Sequence, residues 1–291
     1  MKRRTITLVI LVSLIFVVLV VGILIFLKPA KRNVIYNLRE GVYYSSVQEA
    51  INAAKEGDRL IVYPGRYREN IVVNKTLMLE GLDRDEIFIE PANRSVIALA
   101  VRAHNVTIAN LTIGNAPFGI YLFYSNNSKI IGNKVLNCNL GIFLRNSNET
   151  LVKNNIILNA NVTGIEIYHA TNNTVIGNRI SNCSGIYGGI SIIYSSNNEV
   201  RLNLIANNTY GIHVYQSSQN KIFHNNFINN ENQYFVSGSI NKWDDGYPSG
   251  GNYWSDYKGK DENNDGIGDT SYFIDEKNED RYPLMNPITI P

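Results

Sequence analysis

The sequence predicts an all-β fold, a parallel β-helix closed by an N-terminal capping helix, and three observations point to it. First, one unit recurs across residues 106–228, and its glycines, Gly119, Gly141, Gly164, Gly189 and Gly211, are spaced 22, 23, 25 and 22 residues apart. Second, asparagines keep the same beat, at Asn137, Asn159, Asn182, Asn207 and Asn230, with another column at Asn133, Asn155, Asn178, Asn203 and Asn226. Third, no apolar run in this stretch is long enough for an α-helix. The runs are short, rich in β-branched residues and bounded by Asn, Ser and Gly. A period in the low twenties means stacked supersecondary units. A leucine-rich repeat would need an L-x-x-L-x-L signature with a helical return, and neither is present.

Element by element, the chain begins with Met1-Lys2-Arg3-Arg4 and then 23 uncharged, mostly apolar residues, 5–27. About 20 such residues span a bilayer. Residues 27–32 offer no small-x-small cleavage pattern. Residues 1–32 therefore read as a cytoplasmic stub, a single-pass transmembrane signal anchor and a basic flank, with the membrane as a partner through residues 5–27. Both flanks are basic, so charge does not orient the anchor. With no second span, the bulk of the chain is expected outside the cell. Ten Asn-x-Ser/Thr sequons agree with an exterior glycoprotein, although an Asn- and Thr-rich repeat also generates them by chance.

Residues 33–57 read as a linker and the capping helix. Ser46 to Glu49 form a capping box, Val47, Ala50, Ile51 and Ala54 share a face, and Gly57 is the expected stop. Residues 58–239 are the coils, with early strands at 60–63, 71–73, 77–80, 87–89 and 96–100. In the later coils, Asn at each corner should tolerate left-handed backbone, and stacked amides should bond one another. The Gly column should serve the close turn into the next strand. Cys138 and Cys183 fall two coils apart, too far for a disulfide, and read as buried thiols.

Residues 240–291 differ in composition. They carry eleven acids against five bases, −6, which leaves +8 for the rest of a chain of net charge +2. Part of that positive charge flanks the membrane segment, so nothing in the charge argues for nucleic acid. Within this cap, Asp261, Asn263 and Asp265 alternate, followed by Gly266 and Asp269. That is how a loop wraps a hard cation, and a structural Ca²⁺ is expected there. Tyr272 occupies the position of an EF-hand's closing Glu, so the loop is not an EF-hand.

The run Asn252-Tyr253-Trp254-Ser255-Asp256-Tyr257, the Asp261–Asp269 loop, the closing Arg281-Tyr282-Pro283-Leu284-Met285 and the early Pro64-Gly65-Arg66-Tyr67 resemble archaeal NosD-like proteins. The resemblance covers roughly residues 45–286. It implies a right-handed, pectate-lyase-like solenoid within a broad group of carbohydrate-binding and sugar-hydrolase domains. The family name is tied to copper supply in the periplasm.

Chemistry should sit on the outer face of one sheet. The stretch 86–243 contains no Asp, and its acids after Glu90 (Glu149, Glu166, Glu199 and Glu231) fall in different coils. Paired carboxylates for hydrolysis are therefore missing, and catalysis is disfavoured. Two residues beyond each Gly stand Tyr121, Phe143, Glu166, Ser191 and His213. Four beyond stand Phe123, Arg145, Tyr168, Ile193 and Tyr215. In register these would form an aromatic groove able to stack on sugar rings. The candidate ligand-binding residues are thus Tyr121, Phe123, Phe143, Arg145, Glu166, Tyr168, His213 and Tyr215. Eighteen tyrosines in the chain leave a plain strand preference as the competing explanation. Copper is disfavoured, because His104, His169, His213 and His224 lack close spacing and the cysteines are apart. The sequence thus points to a membrane-anchored glycan-binding module. A surface scaffold or protein-partner module, a weak hydrolase or lyase, and a copper-delivery accessory protein are the alternatives.

Overall fold

The computed structural model describes residues 33–93 and 96–290, which pack as one unit. The apolar segment 5–27 lies outside them. No helix of the described residues is long and apolar enough to cross a membrane.

The coils stack as a parallel β-solenoid of the right-handed type, the usual hand of parallel crossovers. Three sheets run its length. In a regular coil the first holds Lys129–Ile131, the second Lys134–Leu136 and the third the longer Leu140–Arg145. Each strand pairs in parallel with its counterpart a coil later: Ile130 with Val152, Val135 with Ile157, and Ile142 with Ile165. Inward residues form continuous apolar files. The isoleucine after each column glycine (Ile120, Ile142, Ile165, Ile190 and Ile212) is fully buried.

The two asparagine jobs, expected of one residue, are divided. Asn137, Asn159, Asn182 and Asn207 hold left-handed backbone at the corner between the second and third sheets, with φ between 52° and 58°. Asn133, Asn155, Asn178 and Asn203 face the interior and form a ladder. Asn178 Oδ1 accepts from the backbone N–H and the side-chain amide of Asn155, both at 2.9 Å. Its own Nδ2 donates to Asn203 Oδ1 and to the Val152 carbonyl, again at 2.9 Å. The last member of each sequence-read column is corrected by one residue. Asn225, not Asn226, continues the ladder. Asn229, not Asn230, takes the left-handed corner. Asn226 points outward instead and clamps the C-terminal tail through the N–H and carbonyl of Ile288.

The glycine column also has a different cause from the one expected. None of the five glycines has positive φ. A Cβ on Gly164 would lie 2.6 Å from the Gly189 carbonyl oxygen and 2.5 Å from an Ile180 methyl. Close approach of coils, not turn geometry, excludes a side chain.

At the N-terminal end, helix α1 (Val47–Ala53) buries Val47, Ala50 and Ile51 against the first strands. Ser46 accepts from the Glu49 amide as the capping box requires. The remaining first-turn donors, Val47 N and Gln48 N, go to Glu69 of the next coil. The helix ends at Ala53. Gly57 (φ +79°) lies beyond it, in the turn before Asp58–Val62. Strands Ile35–Asn37, Val42–Tyr44 and Gly65–Arg68 were not expected from the sequence.

At the far end, Phe227, Trp254 and Tyr272 stack face to face at 4.4 and 4.5 Å. Trp243 is fully buried beside them. The Asn ladder runs out through Asn252 to Asp280, whose carboxylate accepts from Asn252 N, Trp254 Nε1 and Tyr282 N. Arg281 forks onto Asp244 at 2.7 and 2.9 Å.

Asn178→Ala strands several buried donors and acceptors, at roughly 1–3 kcal/mol each. It should lower stability to urea far more than Asn159→Ala, which mainly places Ala in left-handed backbone at about 1–2 kcal/mol. Equal losses would contradict the ladder. Gly164→Ala should cost roughly 1–3 kcal/mol by overpacking, measured in the same titration.

Candidate functional site

Register brings the two sequence-read files together on the outer face of the third sheet. Tyr121 pairs with Phe143, Phe143 with Glu166, Glu166 with Ser191, Ser191 with His213, and His213 with Phe235. Beside it run Phe123, Arg145, Tyr168, Ile193 and Tyr215. The first two coils of these files, those of Tyr121 and Phe143, are filled by their own packing. Tyr121 and Phe143 stack at 5.1 Å, and Phe143 is buried. Arg145 lies over the rings of Phe123 and Tyr168, 5.7 and 5.9 Å from their centroids.

Further along, the face opens into a hollow of about 450 Å³ that gathers Glu166, Tyr168, His213 and Tyr215. Thus four of the eight expected residues converge, and Tyr121, Phe123, Phe143 and Arg145 form its N-terminal approach. Three further rings complete the walls: Tyr187, Tyr194 and Phe235. Tyr187 escapes the column count because its coil is 25 residues long, and the extra residues around Gly185 carry it outside the repeat. Tyr194 sits at a left-handed corner, φ 49°. Phe235 lies 22 residues after His213, but Gln233 replaces the glycine that would have announced its coil.

Burial governs the chemistry here. Glu166 is 6% exposed, and desolvation pushes its carboxyl up to about 7. Burial holds the His213 imidazole below its ordinary value, favouring the neutral ring, which stacks on Phe235 at 4.5 Å. Ser191 Oγ and His213 Nδ1 are buried without a hydrogen-bond partner.

A larger hollow, about 650 Å³, lies at the C-terminal cap between Asn230, Gln233, Asp256 and Tyr272. Two carboxylates line it, Glu231 and Asp256, and Asp256 already accepts the Tyr272 hydroxyl; Tyr272 itself is stacked on Trp254 as part of the cap.

The acidic loop is folded on itself. Asp261 accepts from the amides of Asp265 and Gly266, Asp265 from Asn263 Nδ2 and Ile267 N, and Asp269 from Glu262 N. Among the described residues no three carboxylate, His or Cys side chains converge as a metal would need. The Ca²⁺ expectation thus gains no support from this geometry.

Fold and site together define a parallel β-solenoid with a ring-lined hollow on the outer face of its third sheet. A family described as periplasmic copper-binding protein (NosD) matches residues 51–259, and the chain belongs to that family. A probable ABC transporter binding protein NosD of Stutzerimonas stutzeri is 41% identical over 93 residues, 31% of this chain and 21% of that protein. A cell surface glycoprotein of Methanothermus fervidus is 31% identical over 103 residues, 35% of this chain and 17% of that one. These matches span about a fifth of each relative's length. A double mutant of the periplasmic alginate epimerase AlgG shares the fold at TM-score 0.51 and 18% identity, over 62% of this chain and 48% of that one.

The donors here do not fit the copper in the family's description. Copper(I) takes thiolates and thioethers, and copper(II) imidazoles. Cys138 and Cys183 are free, buried thiols pushed up to about 11 by desolvation. The histidines are dispersed. His104 accepts from Asn126 N, His224 bonds the Ser249 carbonyl, His169 stacks on Tyr194, and His213 stacks on Phe235.

Because the folded value of Glu166 lies above the unfolded one, its favourable contribution is complete below about pH 4.3. It is lost as pH rises through 7. The groups facing it are Arg145 on the preceding coil, Tyr168, Tyr187 and Tyr194 around the hollow, and His213 two coils on. Glu166→Gln should therefore become the more stable protein as pH rises from 5 to 8, by at most roughly 3 kcal/mol. Parallel melting curves across that range would contradict a buried, uncompensated carboxylate.

Proposed function

We propose that this chain is a non-catalytic glycan-binding β-solenoid acting outside the cytoplasm, with the hollow on its third sheet as the binding site. The observation that carries this is the convergence of tyrosine rings with the partnerless Glu166 carboxyl on one rigid face. Apolar ring faces match the C–H faces of a pyranose, and scattered polar groups fix its orientation. The hollow runs from Glu166 to Phe235 across four coils of the third sheet, long enough for a short oligosaccharide. An outside location agrees with relatives described as periplasmic and as cell-surface glycoprotein, and with an apolar segment 5–27 serving as an anchor. Catalysis has little to draw on: Glu166 has no second carboxylate in the hollow, and hydrolysis calls for two.

The test is a glycan array probed with the full chain in detergent. The expected result is saturable binding to one glycan class, weakened roughly two- to tenfold by Tyr194→Ala or Tyr215→Ala, in keeping with stacking contributions of about 0.5–1.5 kcal/mol. A blank array from protein with an intact cooperative melt would turn the assignment toward a scaffold that meets a protein partner.

A further inference from the structure

We propose that the hollow on the third sheet is an aromatic cage for a protonated amine, and that the glycan it selects is an oligomer of amino sugars with free amino groups. This rests on the glycan-binding assignment of the same face and specifies the substrate.

The first argument is the state of Glu166. Its side chain is nine-tenths buried and has neither a hydrogen bond nor an ion pair. A buried carboxylate without a partner is costly, and a cation entering the hollow would relieve that cost. Arg145, on the preceding coil, does not do so. It forms no ion pair with Glu166 and instead lies over the rings of Phe123 and Tyr168.

Register places Ser191 beside Glu166 and His213 beside Ser191, on successive coils about 4.8 Å apart. The Ser191 hydroxyl is fully buried and His213 is nine-tenths buried, yet Ser191 Oγ and His213 Nδ1 have no partner within the protein. Polar atoms in such a position are ordinarily satisfied. Of this row Glu166 and His213 line the hollow, and the Ser191 hydroxyl lies closed beneath its floor. An ammonium group in the hollow meets the Glu166 carboxyl, and sugar hydroxyls beside it meet the tyrosine-lined walls. Neutral His213 adds no charge that would repel a cation.

The walls suit the same ligand. Tyr168 and Tyr194 meet at 6.0 Å and 80°, and Tyr194 and Tyr215 at 5.6 Å and 79°. Rings set alternately at right angles offer faces from more than one side, and π faces attract cations. The face already holds one cation in this way, the Arg145 guanidinium. A polyuronate would bring its negative charge against Glu166, with no cationic side chain lining the hollow to receive it.

The experiment is calorimetric titration of the full chain in detergent at pH 6.5, where the amines of a glucosamine oligomer still carry their protons. Four probes are used: a glucosamine tetramer, the N-acetylglucosamine tetramer, a mannuronate tetramer and tetramethylammonium chloride. The free-amine tetramer should bind at least about tenfold more tightly than its acetylated counterpart, as cation–π and ion-pair recognition implies. Tetramethylammonium should compete with it, and the uronate should not bind. Glu166→Gln should abolish the preference for the free amine, while Tyr194→Ala should weaken every ligand that binds. Equal affinity for the two hexosamine tetramers, or a preference that survives Glu166→Gln, would overturn the ammonium site and leave glycan binding standing. Binding of tetramethylammonium without any oligosaccharide would keep the cage and overturn the glycan assignment. Folded protein that binds none of the four probes overturns both.

Discussion

Each coil of this solenoid turns its chain three times within little more than twenty residues, and each turn leaves backbone amides facing a dry interior. Water cannot reach them, so the side chain of the next coil must. Asn suits the task because one amide carries both an acceptor and donors. Its oxygen takes the N–H and side-chain amide of the coil below, while its nitrogen passes the pattern upward and ties off a carbonyl. The ladder from Asn133 through Asn225 repeats this bond set coil after coil. A slip of one residue would break it at every level. The ladder therefore fixes register, and register sets Glu166, Ser191 and His213 side by side.

A ladder of this kind must also end. Asn225 hands its bonds to Asn252, and Asn252 hands its backbone N–H to the buried Asp280, an acceptor with no further donor to place. A second interior file, Asn173, Asn198, Asn220 and Asn241, finishes on Asn278, whose amide meets Asp275. The acidic composition of the C-terminal cap thus has a structural use: its carboxylates receive what the coils leave over. The stacked Trp254 and Tyr272 cover the apolar end in the same layer. At the other end Glu69 closes helix α1 from the first coils.

Much of this was legible from spacing alone, and the failures have definite causes. The steps between glycines placed Tyr121, Phe143, Glu166, Ser191 and His213 in one file, because a parallel stack preserves period. Asn225-Asn226 and Asn229-Asn230 were misassigned by one residue, since in an Asn-Asn pair only phase separates the inward side chain from the corner. The step of 22 from Asn203 does point to Asn225. Tyr187 lay hidden in a coil with extra residues, and Phe235 in one that has lost its glycine. The alternating acids of the 261–269 loop suggested a cation. Their oxygens serve the loop's own amides, a use that composition does not distinguish from metal binding. Glycine was read as a conformational need where it is a steric one, a distinction that requires the neighbouring coil.

The functional face follows from the same economy. Inward positions are committed to apolar files and amide ladders, and the corners to residues that accept left-handed backbone, so only outward positions are free to vary in chemistry. The third sheet has the longest strands and thus the broadest such face. The claim beneath all of this is that interior asparagine amides are locked from coil to coil, and side-chain hydrogen exchange followed by NMR tests it most directly. The account predicts that the Nδ2 protons of Asn155, Asn178, Asn203 and Asn225 exchange orders of magnitude more slowly than those of the corner residues Asn137 and Asn159, as expected for groups released only by global opening. Comparable rates for the two sets would contradict it.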